Sequence, residues 1–166
     1  SPDDEKKASD ALIKAGCDVL AQHCDTTAPQ EASENNGTWA IGYNSDMSKE
    51  TPKATLTSVI WNWSAYYTSY ISSIINASYS GENYYGGMKE SLVSLTELSS
   101  LCDDQTAEKV KEAKEKIVSG DFGVFDGVLK TNTGDSIGEE GKTLDDAKIT
   151  GEINWYYHNV SELKWK

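Results

Sequence analysis

Two short apolar segments, each followed directly by polar side chains, constrain the fold of this chain more than any other feature. Residues 17–23, CDVLAQH, and residues 38–45, TWAIGYNS, are nearly continuous apolar runs of strand length. Such runs are typical of strands in a parallel sheet that are buried on both faces. Residues 3–16 and 26–37, which precede the two runs, are helical in pattern. The order helix, strand, helix, strand predicts an α/β layer with right-handed crossovers.

The helices carry clear start and stop signals. Residues 3–16 begin with acidic side chains and end at a glycine. Residues 26–37 have threonines at the start, Pro29 in the first turn and a glycine at the end. Residues 103–121 combine an aspartate cap, a Glu/Lys ladder and a glycine stop, which predicts a third helix.

The remaining segments alternate between β-rich and helical patterns. The predicted β-rich segments are residues 55–63, residues 83–98 around a Gly-Gly turn, and residues 123–135, where a strand leads into a turn. The predicted helices are residues 64–78 and residues 143–163, the second with an aromatic face.

The charge of the chain argues against several functions. It has 27 acidic and 15 basic residues among 166, for a formal net charge of −12. A surface this acidic repels phosphate backbones and anionic lipid headgroups, which disfavours binding to nucleic acids or to membrane surfaces. No apolar run approaches the ~20 residues that a membrane-spanning helix needs.

The three cysteines do not form a disulfide framework. If the segment between Cys17 and Cys24 is a strand, these residues are about 20 Å apart at ~3.3 Å per residue, too far for a disulfide. We therefore expect free thiols. A nucleophile pair would need Cys24 or Cys102 beside His23 or His158, and the spacing supports no such pair.

Polar side chains follow both of the first two predicted strands. They are Gln22, His23 and Asp25 after the first strand, and Tyr43, Asn44 and Asp46 after the second. Ligands of open α/β sheets bind outside the carboxyl ends of the strands. Two adjacent strands that end in this way would bring both sets to one edge, so the sequence favours a ligand cleft there.

A metal site or a purely structural role would also place polar residues after the first strand. Zinc binding by His23, Cys24 and Asp25 is disfavoured, because successive strand residues point to opposite faces. A structural role stays open, in which Asp25 caps the following helix and His23 hydrogen-bonds a loop carbonyl. Such capping is compatible with a binding role.

The stretch VIWNWSAYY at 59–67 holds two tryptophans and two tyrosines. Aromatic residues at this density are typical of a core or an interface. A flat ligand would also bind to such faces, and Trp61 and Trp63 at the end of the third predicted strand are the stacking candidates.

Four stretches of the sequence are distinctive in combination. They are QHCD at 22–25, IGYNSDM at 41–47, LTSVIWNW at 56–63 and FDGVLKTNTG at 125–134. In this order they resemble the second half of the basic membrane protein family, the substrate-binding lipoproteins of certain ABC importers. Many members of that family are purine or purine-nucleoside receptors. The resemblance extends over nearly the whole chain.

The resemblance implies a two-lobed periplasmic-binding-protein fold that holds a ligand by hinge closure. We expect residues 1–166 to be the C-terminal portion of such a receptor, preceded in the natural protein by a signal sequence, a lipid-bearing cysteine and a first lobe. The receptor would be lipid-anchored outside the bacterial cell membrane and would serve an ABC permease and ATPase, with no catalysis and no cofactor. Residues 64–78 would lack their neighbours, so we expect exposed apolar surface there, covered by a homodimer or a swapped element.

The resemblance also bears on the ligand. In nucleoside-binding members, an aspartate at the position of Asn44 and a lysine at the position of Trp61 hold the ribose hydroxyls. A neutral amide that donates and accepts, and an indole that stacks, suit a free planar base better. His23, Asp25 and Asp46 keep the pattern of the most similar members. A purine base is therefore the expected ligand, with a nucleoside or another small heterocycle next, and a ligand sensor on the same fold is the alternative function.

Overall fold

The computed structural model describes residues 1–163 of the chain. These residues divide into one unit at Ser1–Lys114 and a second that begins at Glu115. The first unit contains α1 (Pro2–Lys14), β1 (Val19–Ala21), α2 (Ala28–Asn36), β2 (Trp39–Asn44), β3 (Thr55–Trp61), α3 (Trp63–Ile75) and β4 (Val93–Leu95). From the first unit into the second runs α4 (Asp104–Ser119), followed by β5 (Leu129–Lys130), β6 (Ser136–Ile137) and α5 (Asp146–Gly151).

The strands β1 to β4 form one sheet in that order. β1 and β2 are parallel, as are β2 and β3, whereas β4 runs antiparallel to β3. Tyr43 of β2 lies opposite Val59 of β3, beyond a register shift between Ala40 and Ile41. The carboxyl ends of β1, β2 and β3 therefore lie along one edge of the sheet. The predicted α/β architecture, a mainly parallel sheet with flanking helices, is confirmed.

One face of β1 and β2 is closed by α2, on which α1 packs in turn. The buried apolar residues of the first unit are Leu20, Ala32, Ala40, Met47, Ala54 and Leu92. Buried polar side chains of the same unit are largely paired with one another. The hydroxyls of Thr51 and Thr55 lie 2.7 Å apart, and the Ser58 hydroxyl accepts the Met47 amide at 3.2 Å. Small side chains and internal hydrogen bonds thus form this core.

The opposite face of β1 and β2 is open. Val19 is 41% exposed and Trp39, directly opposite it in the sheet, is 38% exposed. Their neighbours two residues further on, Ala21 and Ile41, share this face. The prediction that these strands are buried on both faces is therefore wrong, because α2 covers only the face to which Leu20 points.

The helix α3 has no buried residue, and Ile75 is 76% exposed. The exposed apolar surface that we expected for this segment is therefore confirmed. The third strand is shorter than predicted, since β3 ends at Trp61 and Trp63 is the first residue of α3.

Residues 83–98 differ from the prediction of strands around a Gly-Gly turn, because only Val93–Leu95 is a strand. The Gly87 amide donates to the Glu90 carboxylate at 2.8 Å, and the Leu92 amide donates to the Gly87 carbonyl at 3.0 Å. A local turn thus uses the backbone groups that a hairpin would need.

Residues 143–163 also differ from the predicted long helix. α5 is short, and the Asp145 carboxylate caps it by accepting the Lys148 amide at 2.9 Å. Beyond α5, the Asn132 amide donates to the Tyr156 carbonyl at 2.8 Å, and the His158 amide donates to the Lys130 carbonyl at 2.9 Å. The aromatic segment therefore pairs with the end of β5 and its turn instead of extending the helix. The predicted strand leading into a turn at 123–135 is confirmed by β5.

Within residues 1–163, no helix is both long enough and apolar enough to span a bilayer.

Candidate functional site

The carboxyl ends of β1 and β2 bring two predicted site residues into contact. The rings of His23, which follows β1, and Tyr43, in β2, have centroids 4.7 Å apart at a tilt of 32°. They face a groove of about 370 Å³ at this edge of the sheet. Its lining residues are Ala21, Gln22, His23, Ile41, Gly42, Tyr43 and Val59. The groove lies where α/β sheets bind ligands.

His23 and Asn44 offer unused polar groups at this edge. Both side chains are exposed, and neither has a hydrogen-bond partner within residues 1–163. Asn44 has a φ of +70°, a left-handed conformation that asparagine tolerates better than most residues. Conformations of this kind cluster at binding sites. An imidazole and an amide are thus available to a ligand.

Gln22 has a different role, because its amide is used internally. Its Nε2 donates to Gln30 Oε1 at 2.8 Å and to the Thr26 carbonyl at 3.2 Å, and its Oε1 accepts the Cys24 amide. Gln30 is fully buried. Gln22 therefore ties the end of β1 to the start of α2 and shapes the groove wall.

The two aspartates near the edge are exposed. Asp46 Oδ1 accepts the Ser48 amide at 3.0 Å, and its hydrogen bonds with Ser48 lower the pKa of the Asp46 carboxyl. Asp25 does not cap α2, because Thr27 occupies the N-cap position. His23 donates to no loop carbonyl among the described residues. The two hydrogen bonds considered for a structural role of Asp25 and His23 are therefore not formed within residues 1–163.

The end of β3 forms a second groove, of about 400 Å³. Its lining residues are Trp61, Trp63, Tyr66, Tyr84, Tyr85, Gly86 and Leu92. The rings of Trp61 and Trp63 stack with centroids 5.6 Å apart and planes 23° apart. Trp61 lies two residues beyond Val59, which lines the first groove. Of the predicted residues, Gln22, His23 and Tyr43 thus line the first groove, and Trp61 and Trp63 line the second. Asp25, Asn44 and Asp46 line neither groove.

Sequence reasoning missed Tyr84 and Tyr85, because it assigned residues 83–98 to a hairpin. The signal was nevertheless present as an aromatic pair directly before Gly86 and Gly87. The ring of Tyr84 packs against that of Tyr66 with centroids 4.8 Å apart, which joins this loop to α3.

Neither a nucleophile nor a metal cluster accompanies these grooves in the described residues. Burial, and then the negative charge of Glu5, raise the pKa of the Cys24 thiol, which makes it a poorer nucleophile. Cys17, Cys24 and Cys102 have no disulfide partner within residues 1–163. Among residues 1–163, no three His, Cys, Asp or Glu side chains converge to hold a metal ion. The site offers stacking and hydrogen bonding.

Residues 1–126 match the family described as ABC transporter substrate-binding protein, PnrA-like. A purine-binding protein of Brucella abortus is 32% identical over 161 residues, which cover 97% of this chain and 45% of that protein. A Haloferax volcanii protein that bears the name of an ABC transporter glucose-binding protein, TsgA13, is 30% identical over 126 residues, 76% of this chain and 32% of that protein. The chain spans less than half the length of either relative.

Solved structures share the fold. A transcriptional activator of the comK gene from Bacillus halodurans has a TM-score of 0.66 at 23% identity, over 73% of this chain and 44% of that chain. An ABC transporter solute-binding protein from Aeropyrum pernix has a TM-score of 0.60 at 15% identity, over 73% of this chain and 44% of that chain. A similar protein from Conexibacter woesei has a TM-score of 0.55 at 18% identity, over 75% and 42%.

Proposed function

Because the chain belongs to the PnrA-like family of ABC transporter substrate-binding proteins, we propose that it forms one lobe of a receptor for a small planar heterocycle. The ligand would be a purine base or a nucleoside. The observation that carries the proposal is the open sheet edge, where His23 and Asn44 have free polar groups and the His23 ring contacts that of Tyr43. The ligand would lie between this edge and the other lobe of the receptor.

The side chains around the two grooves favour a neutral ligand. Neither groove is lined by a lysine in the part of the chain that the structure describes, and the sequence contains no arginine. Phosphate and carboxylate ligands are recognised mainly by such cations. Aromatic faces, in contrast, bind bases with about 1–3 kcal/mol per stacked base. The 32% identity to a purine-binding protein supports the same ligand class.

The whole receptor would work outside the cytoplasmic membrane. In this proposal residues 1–166 are the C-terminal portion of a two-lobed, lipid-anchored protein that passes its ligand to an ABC permease and ATPase. The exposed apolar side of α3 would face the other lobe, or a second copy of the chain in a homodimer.

Isothermal titration of the full-length receptor with adenine, guanine, adenosine and glucose tests the ligand class. We expect a free base to bind more tightly than its nucleoside. Asn44→Asp is the matched variant, because it keeps the shape of the side chain and restores the carboxylate that resembles nucleoside-binding members. It should shift the preference towards adenosine. No heat from any base or nucleoside would remove the purine proposal, and heat from glucose alone would replace it with a sugar.

A ligand sensor on the same fold is the second candidate. It is supported by the name of the Bacillus halodurans neighbour, a transcriptional activator, whose likeness to this chain is one of fold. Neighbouring genes for a permease and an ATPase would favour import, whereas a kinase or DNA-binding partner gene would favour sensing. An enzyme that uses Cys24 is disfavoured by the raised pKa of its thiol.

A further inference from the structure

The loop between α3 and β4 forms a wall of the groove at the end of β3. Tyr84, Tyr85 and Gly86 line this groove together with Trp61 and Trp63. Its volume of about 400 Å³ is within the range of roughly 300–1,000 Å³ that small-molecule sites have. The groove is therefore large enough for a bicyclic heterocycle.

The loop is fixed with respect to Trp61 by backbone hydrogen bonds. Trp61 pairs with Val93 across β3 and β4, and the Asn62 amide donates to the Leu92 carbonyl at 2.7 Å. The Leu92 amide in turn donates to the Gly87 carbonyl at 3.0 Å. This chain of bonds connects β3, which bears the Trp61 indole, to Gly87, two residues after Tyr85, so the groove is largely preformed.

Gly86 leaves room for the way in which the loop folds. A Cβ atom at this position would lie 2.5 Å from the Tyr84 hydroxyl. Tyr84 therefore folds back over the glycine, where its ring packs on Tyr66 at 4.8 Å. The next ring in the chain, that of Tyr85, is left beside the groove.

Tyr85 differs from the other aromatic residues of this groove. Trp61, Trp63, Tyr66 and Tyr84 each contact another ring. Tyr85 is 72% exposed and contacts no other ring within residues 1–163. An aromatic face that lines a groove and has no protein partner is suited to stack on a ligand.

We propose that Tyr85 is a ligand-contact residue that selects flat, neutral heterocycles by packing its ring on a ligand bound at Trp61. The proposal rests on the proposed function and adds a residue that lies outside the strand ends. Within the described residues no lysine lines the groove, and phosphate is bound mainly by such cations. A phosphorylated form of the same heterocycle should therefore bind poorly.

The test compares three variants of the full-length receptor by isothermal titration with adenine. Tyr85→Ala removes the ring, and Tyr85→Phe keeps the ring while removing the hydroxyl. The matched control is Tyr79→Ala, an exposed tyrosine of the same connection that contacts Tyr70 and does not line this groove. Denaturant midpoints establish that each variant is folded.

We expect Tyr85→Ala to weaken adenine binding roughly 5- to 150-fold, the range expected for one base-stacking contact. Tyr85→Phe and Tyr79→Ala should bind as the wild type does. Wild-type affinity in Tyr85→Ala, or an equal loss in Tyr79→Ala, would overturn the role of Tyr85 while leaving the receptor function intact. If the wild type itself binds no base or nucleoside, the proposed function fails, and the role of Tyr85 with it.

Discussion

The two helices that follow β1 and β3 lie in opposite environments. α2 packs on β1 and β2 and buries Ala32 and Ser33, although its sequence is mostly polar. α3 is rich in tyrosine and isoleucine, yet it buries none of its residues within the part of the chain described. The more apolar helix is therefore the exposed one. This inversion is expected of a segment whose partner is another lobe or subunit, because large exposed apolar patches mark interaction surfaces.

The largest effect on stability is expected on the face of the sheet that α2 covers. Leu20 is 4% exposed in β1, so Leu20→Ala should lower the free energy of unfolding by about 2–5 kcal/mol through lost burial and a cavity. Urea unfolding followed by circular dichroism measures this change.

Ile75→Ala is the matched control on α3, where the side chain is 76% exposed. Measured on residues 1–166 without the other lobe, it should change the free energy of unfolding by less than about 0.5 kcal/mol, as is usual for surface substitutions. Equal losses in Leu20→Ala and Ile75→Ala would mean that α3 is as buried as α2 in solution, and the contrast between the helices would disappear.

A smaller loss of unfolding free energy is expected when Gln22, which joins the end of β1 to the start of α2, is replaced. Gln22→Ala removes the internal hydrogen bonds of this amide and leaves the buried Gln30 carbonyl oxygen without its Gln22 donor. An unsatisfied buried group costs about 1–3 kcal/mol, which should appear as a lower unfolding free energy. Gln105→Ala, on the exposed surface of α4, should leave stability unchanged. An unchanged midpoint in Gln22→Ala would show that this amide does not brace the edge.

The sequence could predict the sheet edge because its signals are local. Apolar runs, threonine and proline at helix starts and glycine at helix ends identified α1, α2, β1 and β2. The resemblance to a family singled out Asn44 and Trp61 for the ligand. The strained φ of Asn44 has no such local signal, since it depends on how β2 ends against its neighbours.

The predictions failed where side chains compete for backbone groups. Glu90 binds the Gly87 amide and replaces a hairpin with a turn, and the pairing between Asn132 and Tyr156 draws the last aromatic segment away from a helix. The alternation of apolar residues in the sequence does not predict either contact. Tyr85 was not predicted as a site residue for the same reason, because its position beside Trp61 depends on the turn at Gly87.

The smallest effect is a pH response of the aromatic groove. The Glu90 carboxylate accepts a hydrogen bond from the Gly87 amide. This hydrogen bond, with a smaller contribution from the positive charge of nearby Lys89, holds the pKa of the Glu90 carboxyl below its ordinary value of 4.5. Because the pKa is lower in the folded protein than in the unfolded chain, ionised Glu90 stabilises the folded turn at pH values above its pKa in the unfolded chain. This stabilisation is lost as the pH falls below about 4.5 and passes the pKa of the folded state. Tryptophan fluorescence from the Trp61 groove should therefore change in that range.

Glu90→Gln is the control for this pH response, since it removes the titrating group while keeping a hydrogen-bond acceptor. The fluorescence change below pH 4.5 should be smaller in this variant than in the wild type. An identical change in both proteins would assign it to other carboxyls, such as Asp46 or Asp103, whose pKa values are also lowered.

The two histidines of the sequence allow the most direct measurement of whether the sheet edge binds the ligand. His23 faces the groove beside Tyr43, whereas His158 lies in the second unit against Tyr157. Adenine titrations of the full-length receptor should show binding weakened about 5- to 150-fold in His23→Ala, the loss of a contact worth about 1–3 kcal/mol, and unchanged in His158→Ala. Wild-type affinity for adenine in His23→Ala, or equal losses in both variants, would contradict a ligand site at the ends of β1 and β2.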